Sequence, residues 1–138
     1  MHVSAKTLAS LVGQLTRNPG APMERLVELQ ATLGCAFPPD YVQFMAESDG
    51  AEGSVGRSYL ALWTSNEITS LSQAACVGKF APGLVLFGAD GGDTAYAFDT
   101  RSAVTNIVDV PLVGMSLEQA RPCGATFGEF IEHLATKQ

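Results

Sequence analysis

Three aspartates, Asp90, Asp93 and Asp99, form the densest group of carboxylates in the sequence, and two glycines separate the first pair. Carboxylate oxygens are the ligands that hard cations such as Ca²⁺ prefer. The calcium-loop pattern D-x-[DN]-x-[DN]-G is absent, however. Two adjacent glycines between apolar segments are typical of a hairpin turn, because such turns need positive φ angles. We therefore expect a turn first, a partner-facing acidic loop second and a metal site last.

Histidine, the residue most used in general acid–base catalysis, occurs only at His2 and His133. His133 falls in the last turns of a predicted helix, where the helix dipole favours a cation. The glycines Gly88, Gly91 and Gly92 lack the spacing and the following helix of a phosphate-binding loop. Paired acids for glycoside hydrolysis could meet only through the fold. We predict no catalytic residue and no enzyme.

The three cysteines, Cys35, Cys76 and Cys123, are odd in number and form no CxxC pair. A disulfide framework or a zinc site is therefore not expected, and the thiols are predicted to pack as small apolar groups. Free thiols fit a reducing compartment. The first twenty residues lack a signal-peptide pattern, and no apolar run approaches the ~18 residues of a membrane span. We expect a soluble cytoplasmic protein with no cofactor, no metal and no membrane contact.

The charge balance points to the kind of partner. The chain carries 14 acidic and 8 basic residues, for a net charge of −6. Such a surface repels phosphate backbones, which argues against nucleic-acid binding, and it attracts a basic protein. The alternative is that the charge only maintains solubility. With 46% hydrophobic and 16% charged residues, the chain is too apolar for disorder, and its 138 residues suit a single domain spanning 1–138.

Apolar residues with helical spacing predict three helices in the first third of the chain. The first runs from a cap at Ser4 to a stop at Asn18. The second follows Pro22 and ends at Gly34, which accepts positive φ. The third begins after Pro39. Glycines at 50, 53 and 56 then predict a loop.

The later residues predict strands, at 59–63, 84–87, 94–98 and 106–110. Capping boxes at 64–67 and 126–129 predict the starts of two more helices, and a brief helix is expected at 116–119. The first of these helices should end near Gly78. The order of elements argues for an α+β fold, with an antiparallel sheet of about four to six strands flanked by N-terminal helices and a C-terminal helix.

Several segments, in this order, resemble one family. They are Leu33-Gly34, Phe37 to Tyr41 with Phe44, Ser48-Asp49-Gly50, Tyr59-Leu60, Leu62-Trp63, Asn66-Glu67-Ile68, Phe87-Gly88, Asp90 to Asp93, Tyr96 to Asp99 and Phe127 to Ile131. The chain is similar here to the SUKH superfamily (Smi/Knr family), which joins fungal cell-wall regulators to bacterial immunity proteins. Asp49 stands where that family often has asparagine.

The resemblance implies an α+β binding module that, in bacteria, neutralises a toxin, often a nuclease. A basic toxin domain would be held at an acidic surface that occludes its active site and partly mimics nucleic-acid charge. The expected partner-binding residues are Asp49, Glu52, Trp63, Asp90 and Asp93.

Two alternatives stay open. The first is a regulatory or scaffold module acting on the cell's own proteins. The second is a metal-dependent hydrolase that uses Asp90, Asp93 or Asp99. The oligomeric state is expected to be a monomer or a homodimer.

Overall fold

The computed structural model describes residues 12, 13, 15–74, 77–102 and 104–136. The helices are α1 (Met23–Leu33), α2 (Pro39–Glu47), α3 (Ser65–Ala74), α4 (Val77–Phe80) and α5 (Phe127–Thr136). The strands are β1 (Thr16–Arg17), β2 (Ala51–Val55), β3 (Ser58–Leu62), β4 (Leu84–Ala89), β5 (Thr94–Asp99), β6 (Asn106–Pro111) and β7 (Arg121–Gly124). A 3₁₀ turn covers Leu117–Gln119. The predicted α+β class is confirmed.

All described strands belong to one antiparallel sheet in the order β1-β2-β3-β4-β5-β6-β7. These seven strands exceed the predicted four to six. The additional strands are short and contain residues that strands usually disfavour, such as Gly53 in β2 and Pro122 in β7. The prediction of a loop at 50–56 was therefore wrong for 51–55, because sheet pairing outweighs local preference there.

Two predicted helices include residues outside the described part of the chain. Most of the first predicted helix lies outside the described residues, and Thr16–Arg17, which the prediction included, pairs with β2 instead. The helix predicted to end near Gly78 is described as α3 up to Ala74 and as α4 from Val77, and residues 75 and 76 between them lie outside the described residues. The other predicted helices and strands are confirmed with shifts of one or two residues at their ends.

The first face of the sheet, defined as the face that carries Phe87 and Phe98, packs against α1, α2 and α5 through a cluster of aromatic rings. The rings of Phe87 and Phe98 stack with centroids 4.2 Å apart. Tyr41 from α2 contacts both of them and also Phe127 from α5. Burying large rings supplies most of the apolar stabilisation, so this face forms the main core.

The second face has a smaller core, which lies over β4, β5 and β6. Its buried residues are Ala81, Leu84, Leu86, Ala95, Ala97, Val108, Val110 and Met115. Strands β4 to β6 are thus buried on both faces, which explains their nearly continuous apolar sequences. In the described part of the chain, no helix is long and apolar enough to cross a membrane.

A carboxylate on α2 fixes the start of α5. Asp40 Oδ1 accepts a hydrogen bond from the N–H of Phe127 at 3.0 Å, and Oδ2 accepts one from Gly128 at 2.8 Å. The Glu129 N–H donates to Thr126 Oγ1 at 3.1 Å, as the predicted capping box requires. Three of the N–H groups that a helix start leaves unpaired are therefore satisfied.

Candidate functional site

An open groove of about 580 Å³ lies between β1–β3 and the beginning of α3. We call it the acidic groove. Its lining residues are Thr16, Asn18, Ala51, Glu52, Gly53, Tyr59, Ala61, Leu62, Trp63, Thr64, Glu67 and Leu71. Successive side chains of a strand point to opposite faces. Leu60 and Leu62 point into the main core. Tyr59 and Ala61 alternate with them along β3 and therefore point to the second face.

Glu52 and Tyr59 face each other across the β2–β3 hairpin. Glu52 pairs with Ala61 and Ser54 with Tyr59, which places the two side chains diagonally on one face. The Tyr59 hydroxyl donates a hydrogen bond to Glu52 Oε2. Both residues are exposed, Tyr59 to 39%. The pair therefore presents a carboxylate and an aromatic surface to solvent.

The acidic turn lies beside the same tyrosine. Gly91 has a φ of +82°, and a Cβ there would lie 2.9 Å from Cδ2 of the Tyr59 ring. Glycine is required for both reasons, since other residues rarely adopt this φ and a side chain would collide with the ring. The turn and the groove consequently share one continuous surface.

Trp63 and Glu67 form the end of the groove at α3. Trp63 is half-buried, contacts both core clusters, and its backbone N–H donates to the carbonyl of Phe87 at 3.0 Å. Glu67 Oε1 accepts the N–H of Thr64 at 3.0 Å, which confirms this half of the predicted capping box. The Glu67 N–H donates to the backbone carbonyl of Thr64. The predicted capping box had the Thr64 hydroxyl as the acceptor of this hydrogen bond. Glu67 thus adds a second carboxylate to the groove.

Asp49, one of the predicted contact residues, has its carboxylate committed inside the protein. Oδ1 accepts the backbone N–H of Ser65 at 2.6 Å, and Oδ2 accepts the Ser65 hydroxyl at 2.9 Å. Arg25 Nη1 lies 3.9 Å from Oδ2, and the Asp49 side chain is only 14% exposed. Asp49 therefore anchors the first turn of α3, which forms one wall of the acidic groove.

The structure does not bring Asp90, Asp93 and Asp99 together. Asp90 Oδ1 accepts the N–H groups of Gly92 and Thr94 at 2.8 and 3.2 Å, which closes the predicted turn. Asp93 is exposed next to it. Asp99 lies at the far end of the six-residue β5, about 20 Å away at ~3.3 Å per residue. The three carboxylates therefore do not share one site, and the alternative of a hydrolase that uses one of them stays a prediction.

Asp99 is instead paired with Arg101. The guanidinium donates to Oδ1 through Nε at 2.9 Å and to Oδ2 through Nη2 at 2.7 Å. These hydrogen bonds lower the pKa of Asp99 below its ordinary value of 3.8. This bidentate pair orders the turn after β5 and leaves no carboxylate oxygen unbonded there.

One group of possible metal ligands occurs among the described residues. The ligand atoms of Asp109, Cys123 and His133 all lie within 4.8 Å of one another. They come from β6, β7 and α5, so no short sequence motif connects them. The sequence led us to expect that Cys123 packs as an apolar group and that His133 has only a structural role, in the last turns of a helix whose dipole favours a cation.

The structure brings Glu52 and Trp63, two of the predicted contact residues, together in one groove, and their role as contacts stays a prediction. Tyr59 and Glu67, which also line the groove, were not among the predicted residues. The outward position of Tyr59 follows from the alternation of residues 59–62, which was the available signal. Glu67 was predicted only as part of a capping box, so its position in the lining of the groove was not considered.

The model of one protein family, the SMI1 / KNR4 family (SUKH-1), matches residues 20–133. The match runs from the segment before α1 to the last turns of α5, and it includes the acidic groove except for Thr16 and Asn18. A comparison with curated proteins gave no match. Since the family match covers most of the 138 residues and agrees with the resemblance seen in the sequence, the chain belongs to the SMI1/KNR4 (SUKH-1) family.

Proposed function

We propose that this chain is an immunity protein that neutralises a cognate toxin domain by binding it in the acidic groove. Membership in the SMI1/KNR4 family supports a protein-binding module of the immunity or regulatory kind. The proposal adds the binding surface, the chemistry of the partner and the means of inhibition. In it, the chain acts by binding alone and carries out no reaction.

The observation that carries the proposal is the composition of the groove. Two carboxylates, Glu52 and Glu67, line it together with the rings of Tyr59 and Trp63. Carboxylates accept charge-assisted hydrogen bonds from arginine and lysine, and aromatic faces attract the same cations. Tyrosine and tryptophan are also enriched among the residues that dominate binding energy at interfaces. This combination suits a basic, arginine- or lysine-bearing segment.

Not every acidic residue is equally available to such a partner. Asp49 and Asp90 already accept backbone N–H groups, Glu67 accepts one through Oε1, and Asp99 is paired with Arg101. Glu52 and Asp93 are exposed. Asp93 adds negative charge at the turn that contacts Tyr59, so the available carboxylates lie along one surface.

The means of inhibition would be occlusion. A nuclease binds phosphates with basic side chains, and an acidic surface that covers those side chains excludes the substrate. The net charge of −6 steers a basic domain towards the chain and accelerates the encounter. Association should consequently weaken as the salt concentration rises.

The test is protection in cells against the toxin domain encoded by the neighbouring gene. Wild-type chain should restore growth when the two are co-expressed, and Glu52→Lys should abolish that protection because it reverses the charge in the groove. Glu118→Lys is the matched control, since it makes the same charge change on an exposed residue of the 3₁₀ turn, outside the groove. It should protect like the wild type.

Binding measured with purified proteins tests the acidic groove as the contact surface separately from protection in cells. We expect Glu52→Lys to weaken the complex by about 10- to 100-fold, as for the loss of a favourable charge pair worth ~1.5–3 kcal/mol. Protection that survives Glu52→Lys would show that the toxin binds elsewhere. Absence of protection by the wild-type chain would overturn the immunity proposal and favour the regulatory module.

A further inference from the structure

We propose that Asp109, Cys123 and His133 form a binding site for Zn²⁺. The site is independent of the proposed function, because it involves β6, β7 and α5, whereas the acidic groove is lined from β1, β2, β3 and α3. It rests on three ligand atoms of different chemistry that the fold brings within 4.8 Å of one another.

The fold places the three side chains from separate directions. Asp109 and Cys123 lie on neighbouring antiparallel strands and are only 4% and 5% exposed. α5 packs on β7 and brings His133 to the edge of the pair, where the imidazole is partly exposed. An ion could therefore enter from the side of His133, and the two buried ligands would form the floor of the site.

The distances suit a small ion after a modest adjustment. Zinc is bound by nitrogen and oxygen at about 2.0–2.2 Å and by sulfur at about 2.3 Å, so its tetrahedral ligands are roughly 3–4 Å apart. Ligand atoms up to 4.8 Å apart must therefore approach each other by up to about 2 Å. Rotation of the partly exposed His133 side chain can supply this movement without disturbing the strands.

The donor set selects zinc over the common hard cations. Ca²⁺ and Mg²⁺ take oxygen ligands, and a site with one carboxylate, one thiol and one imidazole offers them a single favourable donor. Zinc accepts all three kinds of donor. Cys35 offers no comparable site, because burial raises the pKa of its thiol to about 11.

Arg121 orients the carboxylate for this role. Its Nε donates to Asp109 Oδ1 at 3.0 Å, which leaves Oδ2 directed towards Cys123, whose Sγ is 3.6 Å away. Groups that hold a ligand in place in this way strengthen metal sites considerably. On binding, zinc takes the place of the thiol proton between Sγ and Oδ2, and that proton leaves to solvent. A water molecule would complete the fourth position.

The experiment uses the full chain without a histidine tag, titrated with Zn²⁺ by calorimetry and with Co²⁺ by absorption spectroscopy. We expect one ion per chain and a thiolate-to-Co²⁺ charge-transfer band. Cys123→Ser and His133→Gln should each weaken Zn²⁺ binding by at least ~100-fold, since each removes a direct ligand and even supporting residues contribute ~10–100-fold. Cys123→Ser should also remove the band.

Two controls address the remaining histidine and the second buried thiol. His2→Gln and Cys35→Ala should leave both the affinity and the absorption band unchanged. His133→Gln replaces a partly exposed side chain, so the variant keeps the fold and its result can be interpreted directly. The proposal is overturned by the absence of the band in the wild type, or by unchanged affinity in His133→Gln. Neither result bears on protection against a toxin, which depends on the acidic groove.

Discussion

The two faces of the sheet are built differently. The first face buries eight aromatic rings and lies under α1, α2 and α5, and the second face buries mostly alanine, valine and leucine over β4 to β6. Over β1 to β3 the second face is open and forms the acidic groove. One face therefore holds most of the apolar stabilisation, and the other leaves polar and aromatic side chains available for a partner.

Substitutions on the first face should therefore affect stability, and substitutions in the acidic groove should affect binding. A large ring on the first face makes many packing contacts, so its removal leaves a cavity that the surroundings fill only in part. An exposed side chain in the groove makes few contacts, so its replacement changes the surface without loosening the core.

Stability should fall most when a ring is removed from the main core. Phe87→Ala should lower the free energy of unfolding by ~3–5 kcal/mol, because it creates a cavity next to Phe98 and Tyr41. Val108→Ala on the second face removes two methyl groups and should cost only ~2 kcal/mol. Urea unfolding followed by circular dichroism measures both values. Equal losses would contradict the contrast between the faces.

The next effect concerns the cap between α2 and α5. Asp40→Ala leaves the N–H groups of Phe127 and Gly128 without their acceptor and should cost ~1–2 kcal/mol. Asp93→Ala is the control, since Asp93 is exposed, and it should stay within ~0.5 kcal/mol of the wild type. The same unfolding experiment compares the two, and a neutral Asp40→Ala would show that water satisfies the helix start.

A smaller effect of opposite sign is expected at Tyr41. Its ring is central to the main core, but its buried hydroxyl has no hydrogen-bond partner among the described residues. Burial raises the pKa of this hydroxyl, so it stays protonated and unpaired. Tyr41→Phe keeps the ring and removes the unsatisfied group, so it should raise the free energy of unfolding by ~1 kcal/mol. A loss of stability would reveal a partner for the hydroxyl, such as a buried water molecule.

The smallest effect is on stability at acidic pH and comes from Asp99, at the turn after β5. Arg101 lowers the pKa of Asp99 in the folded state, so the ionised pair stabilises the protein above the ordinary pKa of 3.8. This contribution is lost as the pH falls through the lowered pKa. Unfolding measured between about pH 3 and 7 should therefore show a shallower acid decline in Asp99→Asn than in the wild type. If Asp99→Asn loses stability in acid as steeply as the wild type, other carboxylates cause the loss.

The sequence predicted those parts of the fold whose signals are local. The stripes in α1, α2 and α5 and the apolar runs of β4 to β6 are strong periodic patterns, and the structure confirms them. Strands β2 and β7 have no such pattern. They form because neighbouring strands supply hydrogen-bond partners along their length, which no local preference encodes.

The sites were predictable only in part, because their residues meet across the sheet. Glu52 and Trp63 were chosen for charge and type and do share a groove. Asp49 was chosen for the same reason, but its carboxylate accepts the backbone N–H of Ser65 at the start of α3. The sequence alone does not show which carboxylates are already hydrogen-bonded inside the protein. Asp109, Cys123 and His133 approach each other only after β6, β7 and α5 have packed.

The cap formed by Asp40 also bears on how the chain folds during synthesis. Its two hydrogen bonds join residues 87 and 88 positions apart, so α2 cannot complete them until α5 has left the ribosome. The rings of α2 that pack on Phe127 wait for the same segment. The nascent chain therefore exposes an incompletely covered apolar surface until α5 has been synthesised. We expect a chaperone to bind the nascent chain at this surface.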